Sequence, residues 1–325
     1  MKISVATIET TSKAALIAHG AAEPQAAHVA RAVARAEQLG NVICGLYYLE
    51  SYCTQLTTGR VNGTVDPVVS TPRAASVISD AKFGFAQPAF AAGLDTAVAA
   101  ARECGIASLS IAHSHTCTSL GFFTEQIAAH GLIAIGMTNA SPVVAPPGGN
   151  ARVIGTNPIA MTVPGDDGPR MHFDFSTSAV ALGKITMAKA AGEAIPLGWA
   201  VDENGAPTTD PEAALKGALV SAGGYKGWGF GLMVELLAAG MTGSVNSLDV
   251  SGLKLPDGKP HDLGQFYILI DPTTHGDHFG DRFARVAEAV AAQDGARIPG
   301  ANRHEMDEIE VPDALWALTQ KLASA

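Results

Sequence analysis

Along its first sixty residues the chain places apolar side chains three and four positions apart, the spacing of one helix face. Val29, Ala32, Val33 and Ala36 share such a face in a helix expected to open at Glu23-Pro24 and stop at Gly40, with proline where a first-turn N–H needs no partner. Helices are expected on either side of it, from Thr7 to His19 ahead of Gly20 and from Leu46 to Leu56 ahead of Gly59. From about Ala75 the pattern changes to short apolar runs bounded by Gly, Pro and Asn. These are I-A-S-L-S-I at 106–111, L-I-A-I-G-M at 132–137, I-A-M-T-V at 159–163, H-F-D-F at 172–175 and F-Y-I-L-I at 266–270, and they read as strands. A helix from Pro88 to Glu103 precedes the first, and further helices are expected near 231–239, from Phe279 to Gln293 and after Pro312. Helices and strands without regular βαβ alternation predict an α+β fold rather than a doubly wound parallel sheet.

Composition narrows this. A chain of 325 residues has room for two or three subdomains. With 47% hydrophobic and 16% charged residues, 35 Gly and 18 Pro, it reads as tightly packed elements joined by many turns, with some surface buried between subunits. A formal charge of -10 argues against a nucleic-acid partner, and an anionic substrate would need a local cationic pocket. No apolar run approaches the ~20 residues of a membrane span, and M-K-I-S-V-A-T-I-E-T lacks a signal-peptide core, so no membrane partner and a cytoplasmic location are expected. Cys44, Cys53, Cys104 and Cys117 form no C-x-x-C pair; they read as reduced thiols, and no metal is expected.

Four stretches could carry chemistry. G-G-Y-K-G-W-G-F-G at 223–231 lacks the G-x-G-x-x-G spacing, yet glycines leading into a helix present N–H groups to an anion, and Lys226 adds a charge. Close packing at a helix entry explains them equally well. The loop S-P-V-V-A-P-P-G-G-N-A-R-V-I-G-T-N-P at 141–158 lets backbone approach a flat ligand, with Asn139, Thr156 and Asn157 beside it. Asp174, ahead of Ser176, Thr177 and Ser178, can bond ribose hydroxyls or cap a helix, capping being the commoner use. Arg297 and Arg303 flank a Pro-Gly turn and suit a phosphate or carboxylate. The densest cluster is I-A-H-S-H-T-C-T-S-L-G at 111–121. His113 and His115 would share a face if the strand continued, but no third or fourth metal ligand follows. A strand-end histidine acting as proton donor near neutral pH is the stronger functional reading, and a satisfied structural histidine is the alternative.

Across nearly the whole chain, G-T-N-P-I-A at 155–160, F-D-x-x-T-S-A-V-A-x-G-K-I at 173–185, P-L-G-W-A-V-D-E-N-G-A-P-T-T-D-P at 196–211, G-G-Y-K-G-W-G at 223–229 and V-E-L-L-A-A-G-M-T-G at 234–243 resemble the type-2 malate/L-lactate dehydrogenase family. F-A-Q-P-A at 85–89 is similar to its imine-reducing branch. The resemblance implies a non-Rossmann fold in which a largely antiparallel sheet, residues 73–278, binds NAD or NADP. A helical substrate and dimerisation domain, residues 1–72 joined by 279–325, would close over a small anionic substrate in a homodimer. By position it implies cofactor contacts from Asn139, Thr156, Asp174, Phe175, Ser176, Lys226, Arg297, Gly300 and Arg303, the two arginines tilting the choice to NADP. His115 would face substrate and nicotinamide as proton donor, with Cys44, Tyr48 and Thr116 in the substrate pocket. The expected reaction interconverts a 2-oxo and a 2-hydroxy acid, or reduces a cyclic imino acid; a dinucleotide-binding protein with impaired catalysis is the third reading.

Two departures bear on the substrate. The family pattern S-H-G-x-x-R is I-C-G-L-Y-Y here, so Cys44 and Tyr48 stand where a histidine and a carboxylate-binding arginine are expected. Neither replaces a cation. The interval from His115 to Gly121 is one residue longer than usual and more polar, through Thr116, Cys117, Thr118 and Ser119.

Overall fold

The computed structural model describes residues 1–325. The chain begins with a short strand β1 (Lys2–Ser4) and three helices, α1 (Val5–Ala18), α2 (Glu23–Gln38) and α3 (Leu46–Thr57). It continues through β2 (Val68–Arg73), β3 (Ser76–Asp80), α4 (Ala86–Cys104), β4 (Ile106–Ser114), α5 (Gly121–Ala129), β5 (Ile133–Thr138), β6 (Ile159–Val163) and β7 (Met171–Phe175). An excursion follows: α6 (Leu182–Ala191), β8 (Ala200–Val201), β9 (Pro207–Thr208), α7 (Pro211–Lys216) and β10 (Ala218–Leu219). The remainder is α8 (Tyr225–Glu235), β11 (Leu263–Ile270), α9 (Phe279–Ala291), β12 (Glu308–Glu310) and α10 (Asp313–Ala323).

Seven strands form one mixed sheet in the order β2-β3-β4-β11-β5-β6-β7. Only β3 and β4 run parallel, joined by α4 as the crossover a parallel pair requires; the other pairings are antiparallel. The central strand β11 is buried nearly throughout because helices cover both faces. Its alternation divides the core: Tyr267 joins Leu109, Phe90 and Phe123 under α4 and α5, while Phe266 joins Met137, Val234 and Ala238 under α8. After Glu235 the backbone widens into a π-turn at Leu236–Gly240, and β11 lies so close to it that a Cβ on Gly264 would meet the Ala238 carbonyl at 1.7 Å. Glycine is obligatory there.

The helical layer has its own core, in which Ile8, Leu16, Val33, Leu49, Tyr52 and Trp316 meet from α1, α2, α3 and α10. The C-terminus closes this layer by pairing β12 with β1. A third, smaller core holds Val144, Ile154, Ile185, Ala214 and Leu219, gathering the 141–158 loop onto the α6–β10 excursion.

One expected boundary falls inside a strand. A division at residue 72 cuts through β2, whose pairing with β3 puts it in the main sheet. In the segment from residue 279 on, α9 buries no side chain, and contacts with α2 are made ahead of β12, where the Met306 N–H donates to Gln38 O and Glu305 pairs with Arg35. The helix expected near 231–239 starts at Tyr225 and ends in the π-turn. The β2–β3 hairpin, α5 and the α6–β10 excursion carried no expectation.

Candidate active site

The end of β4 breaks the strand pattern. His113 has φ 51° and Asp262, facing it beside β11, also has φ 51°; the ladder slips between Leu263 and Gln265. Left-handed backbone in two non-glycine residues is strained and needs support, which the His113 Nδ1–Asp262 Oδ1 contact of 2.8 Å provides. The break also separates the two histidines. His113 stays partly exposed, while His115 is turned beneath the surface at 2% exposure, so they do not share a face.

The state of His115 follows from its neighbours. Gln55, near the end of α3, donates its Nε2–H groups to Leu253 O at 2.8 Å and Leu255 O at 2.7 Å, which turns its Oε1 towards His115 Nε2 at 2.5 Å. Nε2 therefore carries the proton and Nδ1 is a bare acceptor; it is buried without a partner. His261 stacks on His115 with ring centroids 3.9 Å apart, and its Nδ1 accepts the Thr116 N–H at 3.2 Å. Burial, reinforced by His261 and then Arg60, holds His115 well below the usual histidine range, and burial with Arg60 brings His261 to about 3. Both rings rest neutral. The expected donor titrating near neutrality is, in this state, a neutral base.

A strap, residues 251–261, covers this pair. Arg60, 1% exposed, holds it with Nε–H to Lys259 O, Nη1–H to Gly252 O and Leu255 O, and Nη2–H to Ser251 Oγ, at 2.6 to 3.0 Å. Tyr48 is buried, and its hydroxyl donates to Leu253 O at 3.2 Å, so the group expected to meet substrate fastens the strap. Burial, with a contribution from Asp174, pushes the Cys44 thiol up to about 12, and Cys117 is raised by the same two causes. Neither is an activated nucleophile. Gln87 of F-A-Q-P-A lies beneath the 115–118 turn, donating to Cys117 O at 3.3 Å, and its Oε1 is buried without a partner.

Several expected cofactor residues are engaged by the protein itself. Asn139 uses both ends of its amide on backbone, donating to Val245 O and accepting the Gly264 N–H, each at 3.0 Å. Asp174 Oδ2 accepts the Gly121 N–H at 2.7 Å, capping α5 from the neighbouring strand. Arg303 pairs with Glu125, which also holds Arg35. Gly300, at φ 88°, packs on β7, where a Cβ would meet His172 O at 2.9 Å, while Pro299 O accepts the His172 N–H. Arg297 remains exposed. Phe175 is 53% exposed and stacks on Phe173 at 4.6 Å.

The fold unites the two glycine-rich loops. A cavity of about 410 Å³ is lined by Ala145 to Asn150 and by Ser221 and Gly224. Gly148, Gly223 and Gly224 have positive φ and face open space, leaving the backbone accessible to a ligand. Lys226, exposed on the first turn of α8, stands at the same loop. The Thr177 N–H donates to Thr156 O and the Ala222 N–H to Thr177 O, so Thr156, the Ser176–Ser178 turn and the α8 entry form one neighbourhood. No group of three His, Cys, Asp or Glu side chains is placed to hold a metal.

Sequence reading missed Gln55, Arg60, Lys254, His261 and Glu235. Gln55 is a polar residue inside α3, and Arg60, Lys254 and His261 lie in turn-rich stretches; the role of all four appears only when the strap folds over α3. Glu235 lay inside a quoted motif, but its buried carboxylate, accepting from Asn157, Asn246 and Ser247, has no local signature.

The sequence profile described as malate/L-lactate dehydrogenase matches residues 3–318. The chain is 39% identical over 319 residues, 96% of its length and 95% of the relative's, to (2R)-3-sulfolactate dehydrogenase (NADP(+)) from Chromohalobacter salexigens. It is 37% identical to Delta(1)-pyrroline-2-carboxylate reductase from Ancylobacter novellus, covering 99% and 97% of the two chains. Delta1-piperideine-2-carboxylate reductase from Pseudomonas syringae superposes with a TM-score of 0.92 at 34% identity, over 99% of each chain.

Proposed function

Since the chain belongs to the malate/L-lactate dehydrogenase family, we propose that it is an NAD(P)H-dependent oxidoreductase interconverting a small anionic 2-oxo acid and its 2-hydroxy acid. The bare, buried Nδ1 of His115 carries this reading. An acceptor sealed from water without a partner costs about 1–3 kcal/mol, and a substrate hydroxyl donating to it recovers that cost. In the oxidative direction Nδ1 takes the hydroxyl proton as the carbonyl forms; in the reductive direction the protonated ring returns it. Gln55 Oε1 keeps the Nε2 proton throughout and so fixes which atom reacts. A nicotinamide would supply or accept the hydride at the substrate carbon.

The 410 Å³ cavity offers a dinucleotide open glycine backbone, and the Thr156 and Ser176 hydroxyls and the Lys226 ammonium, outside its lining but on the adjoining segments, would extend the site. In this proposal the sheet layer binds cofactor in a non-Rossmann manner and the helical layer carries the substrate contacts. NADP is favoured by the C. salexigens relative's name and by the exposed Arg297, Arg303 being occupied by Glu125. A homodimer is supported by an uncovered apolar face on α8 and its π-turn, where Phe230, Met233, Leu236 and Met241 are 38% to 60% exposed.

Cyclic imino acid reduction is the second reading, and Gln87 favours it. An iminium N–H is a donor that a ketone lacks, and Gln87 Oε1 is a buried acceptor in want of one. NADPH oxidation with sulfopyruvate, pyruvate, oxaloacetate and Δ1-piperideine-2-carboxylate separates the two. On the accepted substrate, His115→Ala is expected to lower kcat by ~10²-fold or more with NADPH binding retained. Near-wild-type turnover would remove His115 from the reaction.

A further inference from the structure

We infer that Lys254, on the strap, supplies the cation that holds the anionic group of the substrate, replacing the arginine that the family pattern places at position 48. The inference rests on the oxidoreductase reading above, because it concerns how that same pocket recognises its acid.

The sequence leaves the pocket without its expected guanidinium, since Tyr48 cannot carry a positive charge and spends its hydroxyl on Leu253 O. That bond has a second effect. It fixes the residue next to Lys254, and Gln55 Nε2 fixes the same carbonyl at 2.8 Å while its Oε1 contacts His115. One glutamine thus joins the backbone beside Lys254 to the ring proposed to take the substrate proton.

The ammonium itself is placed. Lys254 Nζ lies 3.6 Å from the centroid of the Tyr47 ring and 5.2 Å from that of Tyr48, so two aromatic faces position the charge while leaving its N–H donors free. Lys254 forms no ion pair, and its field reaches Cys44, where it opposes the effect of Asp174. Asp174, the nearby acid, is committed to the N-terminus of α5. Beneath the strap, Arg60 is a second cation without a carboxylate partner, held only by carbonyls and a serine hydroxyl. In a chain of net charge -10, the Lys254 ammonium, which no carboxylate pairs, leaves a local positive charge for an incoming anion, while Arg60 beneath the strap is tempered by Asp257.

An ammonium differs from the lost guanidinium in what it selects. A planar fork matches a carboxylate in two parallel bonds, whereas a point charge accepts a carboxylate or a tetrahedral sulfonate alike. Position 254 therefore sets anion affinity with little preference for anion shape.

The test compares wild type, Lys254→Met and Lys254→Arg on sulfopyruvate, pyruvate and Δ1-piperideine-2-carboxylate with saturating NADPH. For the accepted substrate, Lys254→Met is expected to raise KM by about 10- to 100-fold, the range for losing one charged hydrogen bond, with kcat within about threefold. NADPH affinity should be unchanged, and Lys254→Arg should restore KM to within about fivefold. A wild-type KM in Lys254→Met, on a substrate the wild type reduces, overturns the inference and leaves the oxidoreductase reading standing. A wild type that reduces none of the three overturns that reading and the inference with it.

Discussion

Asp174 shows how one residue can be right in type and ambiguous in task. An acid at the end of a strand, followed by hydroxyl residues, fits both ribose binding and helix capping in sequence, capping being the commoner use. In the fold its Oδ2 meets the first N–H of α5 at 2.7 Å, where the positive end of the helix dipole favours an anion. Asp174→Ala is therefore expected to cost about 1 kcal/mol in urea unfolding, the usual loss for a cap, and to change NADPH affinity less than threefold. A tenfold loss of NADPH affinity with an unchanged unfolding midpoint would return Asp174 to the cofactor. The same limit applies to His115. Its residue type and position at a strand end were legible, but its resting protonation was not, because that is set by Gln55 and His261, sixty and 146 positions away. Burial and pairing are long-range properties, and a local pattern contains neither.

At the scale of elements, strong periodicity was readable and weak periodicity was not. The helices before residue 60 and the strands β5, β6 and β11 sit within a few residues of where alternation and Gly or Pro boundaries put them. The strap has no repeat, and a polar, turn-rich segment such as S-G-L-K-L-P-D-G-K-P-H reads as surface. What orders it is Arg60. Removing that side chain leaves the Lys259 and Gly252 carbonyls and the Ser251 hydroxyl without their donor, Leu255 O keeping Gln55, so Arg60→Ala should lose about 3 kcal/mol or more of stability. The loss should be local first: cleavage within 251–261 by a protease present in limiting amount should accelerate at least tenfold while cleavage elsewhere does not. Equal resistance of the strap in wild type and variant would mean that Tyr48, Gln55 and Thr58 hold it unaided.

The whole molecule couples its stability to pH through its buried imidazoles. His115, His172 and His261 are all held below the ordinary histidine value of 6.5, chiefly by burial, with His172 at about 4 and His261 at about 3. In the unfolded chain each binds a proton as pH falls through 6.5; in the folded protein it does not until far lower pH. The unfolded state thus binds more protons across this window, and stability, fully present above about 6.5, declines as pH falls towards the folded values. Between pH 6.5 and 5 these contributions add in the same sense, and His28, also held low by burial, adds to them. Glu37, raised by burial, acts in the opposite sense as it protonates, while Glu23 and Glu305, held low by Lys13 and Arg35, contribute only at more acid pH. Urea midpoints should therefore drop from pH 7 to 5, and His261→Gln should make that slope shallower whatever it does to stability at pH 7. A midpoint that stays level across this range would show that the stacked pair and His172 already carry protons in the folded state. In that case Nδ1 of His115 is a donor before substrate arrives, and the reductive direction needs no prior protonation.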